Sequence, residues 1–323
     1  MHELYPFRFR PVLRRYMWGG RRLGSLLGKP LGPGNDYAES WEVVDRHEDQ
    51  SMVQFGPLAG ATLGELVRER GQELLGVHHP KQQFPLLVKF LDARKNLSLQ
   101  VHPNDEQAAR QTQPDSGKTE AWVVVAAEPG SLIYAGLRPG VDRSDLERAV
   151  LSGTCEEKLH RFEPAVGDCV FLPSGTVHAL GAGLLVAEIQ QSSDTTFRLF
   201  DWNRPGPDGN PRPLHVEQAL EVIVFDRGPI APQRPRPGQS TGQEILVECE
   251  HFVLRRWRLD RPQRIGGDSQ CHIVTVVEGS IQMEGAPSGE ALTAGSTALL
   301  PASVGQVAMI PDGTAVLLES HLS

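Results

Sequence analysis

Four side chains between residues 100 and 178 have types and spacing that suit a metal ion. In the extended run LSLQVHP, Gln100 and His102 point to the same side because side chains alternate along a strand. Glu120 begins the next strand-like segment, and His178 ends the strand-turn segment GDCVFLPSGTVH. Two imidazoles with oxygen donors suit zinc or another divalent transition metal and leave a position for water or substrate. These four residues are predicted to form one metal site.

Each of these residues also has an ordinary structural interpretation. A lone buried histidine is more often a hydrogen-bonded core residue than a ligand, and Glu120 could instead pair with Lys118 at a strand edge. His160 and His215 have no comparable neighbours, so we interpret them as surface or structural residues. Zinc is the predicted metal, with iron, cobalt and manganese as alternatives.

A second polar cluster, AEIQQSSDTTFRLFDWNR, follows His178. The run QQSSDTT would lose stability if it were buried without partners, so it is predicted to face a wet cavity. Arg198 lies on the strand that follows, opposite to its apolar neighbours in the alternation. The structural alternative is a salt bridge from Arg198 to Asp194 or Asp201.

The elements that must position these residues are mainly β-strands. Short β-rich runs such as EAWVVVAA, DCVFLP and LLVAEIQQ recur between turns, and the chain contains 33 glycines and 25 prolines. This spacing predicts a β-sandwich or barrel. Three peripheral helices are predicted: one over residues 61–76, one running to Leu151 with a capping box between Ser144 and Glu147, and one over residues 214–223.

A proline- and glycine-rich segment, residues 228–243, divides the chain. It has no apolar periodicity, so it is predicted to be a stiff linker between a catalytic domain, residues 1–227, and a C-terminal domain, residues 244–323.

A weak internal repeat crosses this linker. The pattern G-x5-P-x-G-x2-H ends at His178 in the first copy, whereas Gly295 and Pro301 keep their spacing in the second and Gln306 replaces the histidine. The sequence therefore predicts two jelly-roll lobes, of which only the first keeps a ligand set. The second lobe is expected to stabilise and shield the first.

Composition limits the classes of partner. The formal net charge of −8 provides no general attraction to nucleic acid or to an anionic membrane, so an anionic substrate needs a local basic pocket. The N-terminal segment has arginines but no apolar stretch of a signal peptide, and we expect a cytoplasmic protein. Four widely spaced cysteines without a CxxC pair are expected to be reduced thiols.

The blocks QVHPND, KTEAW, PSGTVHAL and SSDTTFRLFDWNR resemble, in order and spacing, the signature blocks of type I mannose-6-phosphate isomerase, a cupin family also called phosphomannose isomerase. The resemblance runs from about Tyr5 to Val224 and includes RYMWGG and YAESWEV. Between Ala127 and His178 there is no room for the extra helical domain of the longest members, so the chain resembles the short bacterial form.

The resemblance implies roles for individual residues. Gln100, His102, Glu120 and His178 correspond to the metal ligands, although in the short form direct binding by Gln100 stays open. Arg198 corresponds to the essential active-site arginine and Lys118 to a lysine at the sugar. The positions that resemble substrate-pocket residues are Trp18, Lys89, Ser98 and Asp194, with Lys89, Ser98 or Arg198 as phosphate contacts.

The implied reaction interconverts mannose 6-phosphate and fructose 6-phosphate through an enediol, with one zinc ion per chain in a monomer or homodimer. Lys118 is the predicted base, with a metal-bound hydroxide or a non-ligating carboxylate as alternatives. Two other functions stay open at this point: a cupin dioxygenase that uses iron, and a non-catalytic cupin that binds a sugar phosphate.

Overall fold

The computed structural model describes residues 2–206 and 209–323, and β-strands dominate them. The strands are β1 (Phe9–Arg10), β2 (Val12–Gly20), β3 (Tyr37–Val43), β4 (Asp45–Arg46), β5 (Asp49–Gln50), β6 (Met52–Val53), β7 (Leu86–Ala93), β8 (Leu99–Val101), β9 (Glu120–Ala127), β10 (Ile133–Leu137), β11 (Leu159–Phe162), β12 (Cys169–Leu172), β13 (His178–Leu180), β14 (Leu184–Gln191), β15 (Phe197–Phe200), β16 (Arg236–Pro237), β17 (Gln243–Glu248), β18 (Val253–Leu259), β19 (Gln263–Gly266), β20 (His272–Glu278), β21 (Ser280–Met283), β22 (Leu292–Thr293), β23 (Thr297–Leu300), β24 (Gln306–Pro311) and β25 (Ala315–His321). The helices are α1 (Arg22–Ser25), α2 (Leu63–Leu75), α3 (Asp105–Ala109), α4 (Arg143–Ser152) and α5 (Val216–Val222).

The first lobe is a sandwich of two antiparallel sheets. A six-stranded sheet in the order β12-β9-β14-β7-β3-β2 packs on a five-stranded sheet in the order β11-β10-β13-β8-β15. Trp122, Val124 and Val186 from the first sheet meet Ile133 and Leu180 from the second in one buried cluster. Side chains on the inner faces of the two sheets therefore form the core, as in other sandwiches.

The second lobe repeats this architecture on a smaller scale. Its sheets have the orders β16-β17-β18-β25-β20-β23 and β19-β24-β21-β22, with Val274, Leu317, Ile281 and Met309 in a buried cluster between them. The predicted fold class, mainly β with two jelly-roll lobes and a few peripheral helices, is confirmed.

The two lobes share a core. Phe7 and Phe90 of the first lobe belong to the same buried cluster as Phe252, Leu299 and Leu318 of the second. Phe7 and Leu299 also exchange two backbone hydrogen bonds, each 2.8 Å long. Because apolar surface removed from water is the main source of folding stability, each lobe stabilises the other.

The predicted linker, residues 228–243, hydrogen-bonds to both lobes. Ile230 N donates to Ala135 O over 3.1 Å, and Gln233 N donates to Cys169 O over 2.7 Å. Further along, β16 pairs with β17 of the second lobe. The division into residues 1–227, 228–243 and 244–323 stays a prediction.

The strand registers reveal which positions of the two lobes correspond. Glu120 pairs with Leu172 immediately before Pro173, and His272 pairs with Leu300 immediately before Pro301. His272 therefore stands where the first lobe has Glu120. Gln306, which replaces the histidine of the repeat, is exposed at the start of β24.

Helices occur in the three predicted regions, but one predicted cap was wrong. Thr62 and Glu65 form a capping box at α2. At α4 the N-cap is Asp142 with Asp145 at the third position, whereas the sequence prediction was Ser144 with Glu147. Asp142 caps as well as serine and adds a negative charge at the positive end of the helix.

No helix in the two described ranges is both long and apolar enough to cross a membrane. All four cysteines are free thiols.

Candidate active site

His102, Glu120 and His178 meet in the interior of the first lobe. Their candidate ligand atoms all lie within 4.8 Å of one another, and all three residues are buried. Glu120 Oε1 lies 3.2 Å from His178 Nε2, and Glu120 Oε2 lies 3.6 Å from His102 Nε2. His178 opens β13, which pairs with β8 just before His102, so a pairing between distant segments brings the group together.

Both imidazoles are oriented by the backbone. His102 Nδ1 donates to Thr195 O and His178 Nδ1 donates to Thr176 O, each over 2.9 Å. A carbonyl oxygen can only accept, so Nδ1 carries the proton in both rings and the lone pair of Nε2 faces the group.

The donor set fits a divalent metal. Glu120 Oε1 is buried and accepts no hydrogen bond from any described residue, although an orphaned carboxylate oxygen is unfavourable. Two neutral imidazole nitrogens and one carboxylate are ligands typical of zinc and of other divalent transition metals. His102, Glu120 and His178 thus form a possible metal-binding group.

Lys118 lies against this group. Its Nζ donates to Glu120 Oε2 over 2.8 Å and lies 3.1 Å from His102 Nε2. Burial and then the charge of Lys118 hold the pKa of His102 well below its ordinary value. Burial alone would raise the pKa of Glu120, but Lys118 and the two imidazoles hold it well below its ordinary value. The pairing of Glu120 with Lys118, named above as the structural alternative, therefore exists inside the group.

Gln100 borders the group. Its amide Nε2 lies 3.3 Å from His178 Nε2, on the strand between β13 and β15. The oxygen and nitrogen of a side-chain amide exchange places by a simple flip, so the same rotamer can offer an oxygen to a cation. Direct binding by Gln100 stays a prediction.

A cavity of about 290 Å³ opens beside the group. The predicted residues that line it are Trp18, Lys89, Ser98, Gln100, Lys118, Asp194 and Arg198. The structure therefore brings together the predicted substrate-pocket and catalytic residues, and the metal-binding group lies behind Lys118 and Gln100. Residues that the sequence analysis did not name also line the cavity, among them Glu188 and Arg212.

Glu188 is a buried carboxylate in the cavity wall. Trp122 Nε1 donates to Glu188 Oε2 over 3.0 Å, and Glu188 Oε1 lies 3.2 Å from Lys89 Nζ and 3.7 Å from Lys118 Nζ. Burial and the charge of Glu120 raise the pKa of Glu188, against the opposing effect of the two lysines. The sequence LLVAEIQQ could have indicated this residue, because Glu188 and Gln190 are polar and lie on one face of a strand whose first four residues are apolar.

Arg198 is held by the backbone rather than by a carboxylate. Its Nη1 donates to Pro213 O over 2.8 Å, and its backbone N–H donates to His215 Nδ1 over 3.1 Å. The predicted alternative, a salt bridge to Asp194 or Asp201, is not formed, and Asp201 instead binds two other arginines. His215 is thus a structural residue, as predicted. The Nε of Arg198 is buried without a partner among the described residues.

Two jelly-roll lobes, with a buried His–Glu–His group beside a charged cavity in one of them, define a metal-binding protein of the cupin class. Residues 6–121 match the family model of the type I phosphomannose isomerase catalytic domain. The mannose-6-phosphate isomerase ManA of Bacillus subtilis is 34% identical over 98% of this chain and 99% of its own length. A mannose-6-phosphate isomerase of Streptococcus mutans is 30% identical over 98% of each.

The fold agrees with a crystal structure of the mannose 6-phosphate isomerase from Bacillus subtilis. The TM-score is 0.89 at 30% identity, over 98% of this chain and 100% of the other. The chain belongs to the type I mannose-6-phosphate isomerase family.

Proposed function

We propose that this protein is a metal-dependent aldose–ketose isomerase that interconverts D-mannose 6-phosphate and D-fructose 6-phosphate. One observation carries the proposal: the buried group of His102, Glu120 and His178 lies beside a cavity lined by Lys89, Lys118 and Arg198. This arrangement offers a metal to the reacting carbons and positive charge to an anionic substrate.

We infer that the metal is zinc, one ion per chain, held by His102, Glu120 and His178 with Gln100 as a further donor. A bound divalent cation polarises a substrate carbonyl and stabilises the negative charge of an enediolate. Two imidazole nitrogens with a carboxylate oxygen are a donor set typical of catalytic zinc sites, which supports this choice.

The proposed base is Lys118. Isomerisation moves a proton between carbon 1 and carbon 2, and Lys118 Nζ lines the cavity and contacts both Glu120 and His102. Lys118 accepts the proton from carbon 2 as the neutral amine, which forms when the ammonium has released its own proton, and returns it to carbon 1 as the ammonium. Glu188 is the non-ligating carboxylate nearest to it and is the alternative proton carrier. Lys118 Nζ and Glu188 Oε1 lie 3.7 Å apart, which is an ion-pair distance, so a proton passes between them only when the two side chains move to within hydrogen-bond distance.

Other cavity residues bind and orient the sugar. The guanidinium of Arg198 stabilises developing negative charge, because it lines the cavity and no described carboxylate forms a salt bridge with it. Trp18, which stacks on Tyr16 at 5.6 Å between ring centroids, offers a flat apolar surface. Ser98 and Asp194 offer polar groups to the sugar hydroxyls. The cytoplasmic location and a monomeric or homodimeric state stay predictions.

Isotope incorporation tests this proposal. Mannose 6-phosphate incubated with the enzyme in deuterium oxide should yield fructose 6-phosphate that carries deuterium at carbon 1, the carbon that receives the proton. The remaining mannose 6-phosphate should gain deuterium at carbon 2 through the reverse reaction, and NMR follows both. Equal rates with and without oxygen would eliminate the dioxygenase alternative. Binding of the sugar phosphate without turnover, in protein of confirmed metal content, would favour the non-catalytic cupin and contradict the proposal.

A further inference from the structure

Beside the cavity, one carboxylate, that of Asp201, is bound by two arginines, and a third arginine lies near them. Arg212 donates from Nε to Asp201 Oδ2 over 2.7 Å and from Nη2 to Asp201 Oδ1 over 2.6 Å. Arg204 Nη2 donates to Asp201 Oδ1 over 2.8 Å. Arg198 is close enough that burial and then the charge of Arg212 lower the pKa of Arg198. Three positive charges against one negative charge leave an excess of two in this part of the wall.

The lysines of the cavity have no such excess. Lys89 Nζ lies 3.2 Å from Glu188 Oε1 and 3.4 Å from Glu39 Oε2, and Lys118 binds Glu120. Both lysines are buried and each lies between carboxylates that balance its charge. Uncompensated positive charge therefore lies with the arginines, away from the lysines.

Arg212 is also positioned to contact the end of a substrate that lies opposite the reacting carbons. It lines both the cavity of about 290 Å³ and a neighbouring one of about 470 Å³ that Arg15 and Lys95 help to form. Its side chain is 21% exposed, whereas the metal-binding group is enclosed. A substrate whose reacting carbons face the enclosed group would extend its other end towards Arg212.

The local fold holds Arg212 in place before any ligand arrives. Trp202 and Asn203 both adopt positive φ values, 58° and 50°, which are uncommon for residues other than glycine. This turn follows Asp201, and Trp202 Nε1 fixes it by donating to Leu97 O over 2.6 Å. The two-point pairing with Asp201 uses Nε and Nη2 of Arg212, and its Nη1 donates to no acceptor among residues 2–206 and 209–323.

We propose that Arg212, next to Arg198, binds the phosphate group of the substrate and makes the enzyme selective for phosphorylated sugars. The identity of that substrate rests on the proposed function. Arginine suits the role because its planar guanidinium matches phosphate oxygens and stays charged. A preformed guanidinium pair also lowers the ordering cost of binding.

The test compares wild type with Arg212→Gln and Arg212→Lys. Arg236→Gln, which removes an exposed arginine–carboxylate pair of 2.8 Å in the second lobe, is the matched control. Holoenzyme is titrated with inorganic phosphate by calorimetry, and KM and kcat are measured for mannose 6-phosphate. Arg212→Gln should weaken phosphate binding and raise KM by about 10- to 100-fold, the loss of one charged hydrogen-bonding partner. Arg212→Lys should recover part of the loss, and Arg236→Gln should match wild type.

The outcomes are separable. Wild-type phosphate affinity and KM in a folded Arg212→Gln variant would overturn the proposal for Arg212 and leave the isomerase intact. Loss of phosphate binding in Arg212→Gln, in an enzyme that isomerises no mannose 6-phosphate, would support the anion site and contradict the proposed function. If Arg212→Gln does not fold, the Arg212→Lys variant decides. An unchanged KM in Arg212→Lys overturns the proposal, because lysine cannot make the two parallel hydrogen bonds that a guanidinium makes to phosphate.

Discussion

The ammonium group of Lys118 donates a 2.8 Å hydrogen bond to the carboxylate of Glu120, inside the group that fits a metal. The chain itself thus supplies a positive charge to a carboxylate that would be costly to bury alone. The same lysine lines the cavity of about 290 Å³, so one side chain connects the metal-binding group with that cavity.

Replacing Lys118 by methionine should separate catalysis from metal binding. Methionine keeps the apolar stem and removes the amine, so we expect kcat for mannose 6-phosphate to fall by about 10²- to 10⁴-fold, the usual effect of losing a general base. Metal content should stay at the wild-type level, because Lys118 is not a ligand. Lys81→Met, on an exposed residue, is the control. Wild-type kcat in Lys118→Met would exclude Lys118 as the base.

Glu188 should be required for turnover and not for metal binding. Glu188→Gln keeps the hydrogen bond from Trp122 and removes the titratable group, so we expect kcat to fall by about 100-fold with unchanged metal content. Glu319 is the matched control, because the register places it at the equivalent position of the second lobe, where it accepts a hydrogen bond from Trp257. Glu319→Gln should lower stability and leave kcat unchanged. A full loss of metal in Glu188→Gln would instead indicate a structural role.

Local rules predicted part of this site. Alternation correctly put Gln100 and His102 near one another, because both belong to one extended segment. The approach of His178 depends on the pairing of His178 with Gln100, 78 residues apart, which no local pattern contains. The prediction that His178 joins the site came from its residue type, and the resemblance of whole blocks to a known family then supported it.

The missed residues have the same explanation. Arg212 is one arginine among several in a proline-rich segment, and its importance comes from Asp201 on the far side of a turn. The structural alternative for Arg198 was a salt bridge to Asp194 or Asp201, but Asp201 binds Arg204 and Arg212 instead. The two lobes were predicted from the internal repeat on either side of residues 228–243, whereas their shared core at Phe7 and Leu299 depends on contacts that no repeat can reveal.

The shared core predicts that the second lobe stabilises the whole chain. Leu299 is fully buried where it meets Phe7, so Leu299→Ala should reduce the free energy of unfolding by about 2–5 kcal/mol. Leu151→Ala, on a side chain that is 88% exposed, should change it by less than about 0.5 kcal/mol. Thermal unfolding of the two variants makes the comparison. Equal melting temperatures would contradict the stabilising role of the second lobe.

The second lobe should also show a pH-dependent contribution from His272. Its Nδ1 lies 2.8 Å from Glu319 Oε1 and its Nε2 lies 2.8 Å from Asp268 Oδ1, and Arg255 and His321 also face this cluster. Burial lowers the pKa of His272, but Glu319 and Asp268 raise it above its ordinary value of 6.5. The pKa of Glu319 and the pKa of Asp268 are lowered in spite of burial, Glu319 chiefly by His272.

A raised folded-state pKa adds stability that is fully present below 6.5 and is lost as pH rises through the folded value. The carboxylates lose their contribution only in acid, below their ordinary values of 4.5 and 3.8. His272→Asn should therefore cost about 1–3 kcal/mol near pH 6 and less near pH 9, as measured by urea unfolding. A cost that stays constant or grows towards pH 9 would show that His272 is not charged in the folded protein.

The central claim is that isomerisation depends on a metal held by His102, Glu120 and His178. The most direct measurement is a coupled assay of mannose 6-phosphate conversion to fructose 6-phosphate with as-purified, EDTA-treated and zinc-restored protein. We predict turnover that EDTA abolishes and zinc restores. Full turnover by protein that elemental analysis shows to be metal-free would contradict the account.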